Sequence, residues 1–133
     1  MYRVVFDGAF PTLNEYIASL NNNRYGGNDM KQTYTEMVRL QCLSATKFPT
    51  PVSLDFHWYV KDKRKDPDNI VFAKKFILDG MVKAGVFPND TQAFIKGFTD
   101  KWYIDKNERV EVHVKAWEAL QVMAEGSPSV RQE

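Results

Sequence analysis

The stretch that decides the fold runs from Val52 to Gly85, VSLDFHWYVKDKRKDPDNIVFAKKFILDGMVKAG. Its first nine residues alternate. Val52, Leu54, Phe56, Trp58 and Val60 fall on one side and Ser53, Asp55, His57 and Tyr59 on the other, the period of a half-buried strand. A charged run, Lys61, Lys63, Arg64 and Lys65, then leads into Asp66-Pro67. An N-capping Asp with Pro at the first helical position is a strong helix start, and Gly85 stands where helices stop. The spacing predicts one helix from Pro67 to Ala84. At about 100° per residue, Ile70, Ala73, Ile77, Met81 and Ala84 form its core side. Asp68, Lys75 and Asp79 line the opposite side, Lys74 falls nearer the core edge, and Val71, Phe72 and Val82 point outward enough to imply a further covering layer.

Working outward, YRVVF (Tyr2 to Phe6) reads as a first strand ended by turn signals from Gly8 to Pro11. A short helix is expected in LNEYIASL. After the polar loop NNNRYGGND, Asp29 is a candidate N-cap for a helix reaching about Thr46, with Met30, Tyr34, Met37, Val38 and Leu40 apolar. Strands over 93–104 and 109–117 flank the turn DKNE and predict a hairpin. Strands and helices mix without a strict βαβ repeat, so the expected class is α+β, a small mixed sheet flanked by helices. One domain is expected over 1–124, with 125–133 a frayed tail.

Composition narrows the chemistry. The chain has 133 residues, 44% of them hydrophobic and 14% aromatic, with a formal net charge of +1. That is one globular domain's worth of core, and no overall charge that would by itself imply nucleic acid. The single cysteine, Cys42, excludes an internal disulfide and a cysteine-based metal cluster, and its apolar neighbours make it a core residue. MYRVVFDGAF lacks the basic and long apolar regions of a signal peptide, and no run is long enough to span a membrane. A cytoplasmic protein without a membrane partner is expected.

Taken singly, the polar residues of the opening stretch have ordinary roles. Asp66 and Asp68 suit a helix start, Asp90 a turn, the basic run a solvated surface, and Lys75 with Asp79 an i,i+4 ion pair. Taken together they describe something else. Pro67 holds Asp66 extended, so two carboxylates can be aimed at one point, with Asp90 returning after the helix as a third. Clustered carboxylates repel unless a cation sits among them, and hard oxygen donors select Mg²⁺ or Mn²⁺. The basic run supplies counter-charge for a polyanion. The combination points to a metal-dependent phosphodiester hydrolase acting on nucleic acid.

DPDN, the following KKFILDGMVKAG, and ND before TQ resemble the RusA family of Holliday-junction resolvases, and weaker similarity extends from YRVVF and LNEY to RVEVHV. The resemblance implies Mg²⁺ (or Mn²⁺) on Asp66, Asp68 and Asp90, with Asn69 supporting them. It also implies a homodimer that cuts four-way or other branched DNA. Where better-known bacterial members carry a functional lysine, one turn beyond the second aspartate, this chain has Phe72. Lys75 is the replacement on the Asp68 side, and Lys74 the second choice. Expected DNA contacts are Lys61, Lys63, Arg64, Lys65, Lys74 and Arg24; Tyr25 and Lys31 are further loop candidates. His57 and His113 read as surface or strand-pairing residues. The alternative is a non-catalytic DNA-binding module of the same fold.

Overall fold

The computed structural model describes residues 2–22 and 25–117. The expected Arg24 contact and the 125–133 tail therefore lie outside the described residues. In chain order the elements are β1 (Tyr2–Asp7), α1 (Leu13–Asn22), α2 (Gly26–Gln41), β2 (Val52–Val60), α3 (Pro67–Val71), α4 (Lys74–Lys83), β3 (Ile95–Ile104) and β4 (Arg109–Ala116). The class is α+β. The strands form one mixed sheet in the order β1-β4-β2-β3.

Alternation in β2 does what the sequence predicts. Val52, Leu54, Phe56 and Trp58 are buried, while Ser53, Asp55, His57 and Tyr59 are only half-buried. The buried side joins Phe6, Val112 and Val114 to Val38, Phe76, Ile77 and Met81 of the helices in one core. The expected cover over Phe72 is α1: its Tyr16 packs on Phe72 at 5.1 Å between ring centroids. Two devices fix the start and stop of helices. Thr12 Oγ1 accepts the Glu15 N–H while Glu15 Oε1 accepts the Thr12 N–H, a reciprocal capping box at α1. At the end of α4, the Gly85 N–H donates to Val82 O and the Val86 N–H to Met81 O, with Gly85 at φ +79°. Only glycine takes that left-handed turn without strain.

Three expectations need correction. The strands around DKNE form no hairpin: β3 pairs parallel to β2, β4 pairs antiparallel to β2, and β2 lies between them. The turn residues merely step over the end of β2, whose Val60 O accepts the Asp105 N–H. The helix from Pro67 is not continuous. At Phe72–Ala73 it tightens, with the Ala73 N–H bonded to Ile70 O and the Lys75 N–H to Phe72 O, three residues back instead of four. Each such residue turns the chain by about 120° instead of about 100°, so the face count taken from Asp68 does not carry through to Lys75. The helix expected at Asp29–Thr46 starts earlier and stops sooner, at Gly26–Gln41. In its first turn Gly27 lies directly against Leu20 of α1, where a Cβ would stand 2.2 Å from Leu20 Cδ2.

Candidate active site

The loop after β2 carries the basic run into α3. Lys61, Lys63, Arg64 and Lys65 are all exposed. Asp62 holds the loop by accepting the Arg64 N–H at 2.9 Å, and its carboxylate also lies 3.9 Å from Arg64 Nε. Among the described residues Lys61, Lys63 and Lys65 have no ion-pair partner within 4.0 Å. Lys65 also borders a narrow apolar slot between Phe10, Trp58 and Ile70.

Asp66 then sits in the extended conformation that the following proline imposes, φ −74° and ψ 149°. Its carbonyl oxygen accepts the first helical N–H groups, from Asn69 and Ile70. Its side chain does not cap: α3 has no side-chain cap bond. Asp68, two residues on, is likewise exposed, and among the described residues neither carboxylate has an ion-pair or hydrogen-bond partner. The ordinary role foreseen for Asp66 is thus not the one its side chain plays. Two hard oxygen donors are left free across one extended-to-helix junction, and they suit a divalent cation or its waters.

Asn69 turns away from these acids. Its Oδ1 accepts the Asn14 N–H at 3.0 Å and so ties the first turn of α1 to α3. It supports the junction's position rather than a ligand directly.

Asp90 lies elsewhere along the chain's path. Parallel pairing sets Val52 beside Ile95 and Val60 beside Ile104. The crossover through α3 and α4 therefore leaves the C-terminal end of β2, near Asp66 and Asp68, and returns to the N-terminal end of β3, just after Asp90. Nine strand residues at about 3.3 Å each put these two ends on the order of 25–30 Å apart. In keeping with this, no group of three or more His, Cys, Asp or Glu side chains among the described residues is placed to hold a metal ion. Within one chain the first two aspartates stand together and the third does not join them.

The two lysines of α4 part company. Lys75 is exposed (side chain 57%) and lies 3.4 Å from Asp79 Oδ1, the i,i+4 pair, while Lys31 of α2 approaches the other oxygen of Asp79 at 4.0 Å. Lys74 is drawn inward, its side chain only 15% exposed, with Nζ 2.9 Å from Asp100 Oδ2. Trp58 Nε1 donates to the other Asp100 oxygen at 2.9 Å, and the Lys74 ammonium lies over the Phe98 and Phe56 rings at 4.2 and 4.8 Å. A lysine enclosed this way is not presented to a phosphate, so the DNA contact expected of Lys74 is replaced by an anchor between α4, β2 and β3. Asp100 was missed in the sequence. The signal was there: it shares the inward parity of Phe98 and Trp102, and an acid on that side needs a buried partner.

Across the opposite side of the sheet, rings and charges close on themselves. Arg109 lies 3.7 Å over Tyr59, which stacks on Tyr103, and His57 stacks on Tyr103 and meets His113 at 4.4 Å. Burial lowers the His113 pKa, with the His57 ring pushing the same way. Burial would raise Asp55, but bonds from Lys115 and Thr99 outweigh it and hold the carboxyl below its ordinary value. The two histidines are strand-pairing residues, as expected. Cys42 is fully buried and its thiol is pushed up to about 11 by burial, which leaves it no nucleophilic role.

No family model matches this chain, and no curated protein does either. No helix among the described residues is long and apolar enough to cross a membrane.

Proposed function

We propose that this protein is a divalent-metal-dependent endodeoxyribonuclease that cuts branched DNA, four-way junctions foremost, and works as a homodimer. One observation carries the reading: Asp66 and Asp68 sit at a helix start with their carboxylates uncommitted, beside the exposed lysines at 61, 63 and 65. Free acids beside free bases that decline to pair with one another leave the acids for a cation and the bases for phosphates. Asp66 and Asp68 would hold Mg²⁺ or Mn²⁺ together with its waters, and the ion when bound would supply an activated water and polarise the phosphoryl oxygen. The chain's own residues do the rest. The basic run positions the backbone, and Asn69 fixes α3 against α1 so that the two carboxylates keep their direction. Lys75, exposed and held only by a surface pair, is free to swing to a phosphate oxygen as charge develops there.

A second reading, a non-catalytic DNA-binding module, draws its support from the separation of Asp90 from the other two acids. A labelled four-way junction and a matching linear duplex, each incubated with Mg²⁺ and with chelator, separate the two. The first reading requires Mg²⁺-dependent cutting of the junction. Salt-sensitive binding without cutting would leave the module.

A further inference from the structure

Gly80 brings α4 against Val38 and the backbone of Thr35, so the two helices are in close contact there. Beside that contact the facing stripes turn polar. Asn28, Lys31, Gln32 and Thr35 follow the i, i+3, i+4, i+7 spacing of one face of α2, and Asp79 and Lys83 lie one turn apart on α4. A seam between two helices ordinarily carries apolar side chains. Here these polar residues instead line a cleft of about 240 Å³. Thr35 is only 3% exposed, and its hydroxyl has no hydrogen-bond partner among the described residues. Buried polar groups are ordinarily bonded, so a lone hydroxyl in the wall of a cleft calls for a group that enters and bonds it.

Charge is arranged around the same cleft. Lys31 and Lys83 are exposed lysines, one from each wall. Asn28 lies in the first turn of α2, whose positive end adds to them. Glu36 of α2 feels Lys83 but is already bound by Arg39 at 2.6 Å. Asp79 is the carboxylate in the lining. It is half-buried, and Lys75 and Lys31 approach it only to 3.4 and 4.0 Å. A carboxylate offers several acceptor sites, so Asp79 keeps room for a ligand hydroxyl.

We infer that the cleft between α2 and α4 binds a small phosphomonoester that carries hydroxyl groups, with its phosphate between Lys31 and Lys83 and its hydroxyls on Asp79 and Thr35. Two lysines suit a doubly charged phosphate, as mobile point charges that close on it from either side. The carboxylate among these donors repels a ligand that is anionic throughout. It favours one with neutral O–H donors next to its phosphate. Size agrees. Pockets for drug-sized ligands span about 300–1,000 Å³, and this smaller cleft suits a triose or pentose phosphate. The inference goes beyond the nuclease reading and does not depend on it, because the cleft shares no residue with the Asp66–Asp68 junction or the basic run.

Calorimetric titration of the whole chain with ribose 5-phosphate, inorganic phosphate and ribose tests this. Ribose 5-phosphate should bind once per chain, phosphate about tenfold more weakly, and ribose not measurably. Lys83→Gln, at an exposed position, should abolish binding of both phosphates with an unchanged melting temperature. Asp79→Asn should bring ribose 5-phosphate down to the affinity of phosphate while leaving phosphate itself no weaker. Thr35→Val keeps the shape and deletes the hydroxyl. It should melt no lower than the wild type and bind ribose 5-phosphate about tenfold more weakly. Equal affinity of the wild type for ribose 5-phosphate and phosphate would mean an adventitious ion only, and would overturn the inference. So would affinities that survive every variant, or a Thr35→Val protein that loses stability and no affinity, its hydroxyl then being structural. A linear duplex whose binding is lost with Lys83→Gln would assign the phosphate to DNA and overturn the small-molecule site. None of these readouts is cleavage, so their failure leaves the metal reading standing.

Discussion

Lys74 and Lys75 are neighbours in sequence with opposite surroundings, and the difference is a matter of what each leaves behind when removed. Lys74→Ala strands Asp100, half-buried, with Trp58 as its remaining partner, so we expect a loss of about 1–3 kcal/mol in stability. Its effect on a chemical step should be small. Lys75→Ala breaks one i,i+4 pair, from an exposed lysine to a half-buried Asp79 that keeps Lys31 at 4.0 Å, a loss of a few tenths of a kcal/mol. If Lys75 meets the phosphate, its loss should slow single-turnover cleavage by something on the order of 10²-fold. Denaturant melts and single-turnover rates for both variants decide the matter; a slow, fully stable Lys74 variant beside a normal Lys75 variant would reverse the assignment. At this scale, local chemistry was legible from the sequence wherever covalent geometry controls it. Pro67 fixes the extended Asp66, and Gly85 fixes the helix stop. What the chain could not disclose is a partner supplied from far away: Asp100 lies 26 residues beyond Lys74, and Asn69 reaches back to Asn14 across 55.

Elements meet where small residues allow it, and Gly80 is the clearest case. A Cβ there would stand 2.5 Å from Val38 Cβ and 2.7 Å from Thr35 O, so α4 touches α2 backbone to backbone. Gly80→Ala gains helix propensity yet must push the two helices apart, and overpacking of this kind costs about 1–3 kcal/mol. A stability unchanged or raised on denaturant titration would show that the two helices give way freely. The sheet carries a pH signature of its own. His113 has a folded pKa below the ordinary 6.5, so the unfolded chain binds the proton more readily. Stability should be complete above about pH 6.5 and fall as pH drops from there toward the lowered folded value. His113→Gln should flatten that slope, and the stability that Asp55 gains from Lys115 and Thr99 should stay in full until pH falls below its ordinary 3.8 and be lost from there down. Melting temperature against pH for both proteins checks it. Elements themselves were readable because alternation and helical period reflect which side is buried. Their pairing was not. DKNE has the composition of a hairpin turn, and only the return of the chain through α3 and α4, which lays β3 parallel on β2, determines that β2 takes the place between β3 and β4.

For the whole molecule, a formal net charge of +1 gives no long-range pull toward DNA, so any affinity has to come from where charge is placed. Four bases, Lys61, Lys63, Arg64 and Lys65, share one end of the sheet with Asp62, Asp66 and Asp68. Without a cation the acids cancel most of that local positive charge; a divalent ion on Asp66 and Asp68 removes the cancellation. Two consequences follow for a non-cleaving condition such as Ca²⁺. Junction affinity should be higher in Ca²⁺ than in chelator at the same ionic strength, and it should fall steeply as monovalent salt rises. Replacing Lys63, Arg64 and Lys65 by Ala should weaken binding and flatten the log–log salt slope by about 0.9 for each phosphate that is no longer neutralised. Asp68→Asn should bind the junction at least as well as the wild type does in chelator, since it removes a repelling charge, while forgoing the gain from Ca²⁺. Fluorescence anisotropy across a salt series, with and without Ca²⁺, reads all of these on one substrate. A triple variant with the parent slope would make the basic run a solvated surface, and an affinity indifferent to Ca²⁺ would separate the two aspartates from any role in binding DNA.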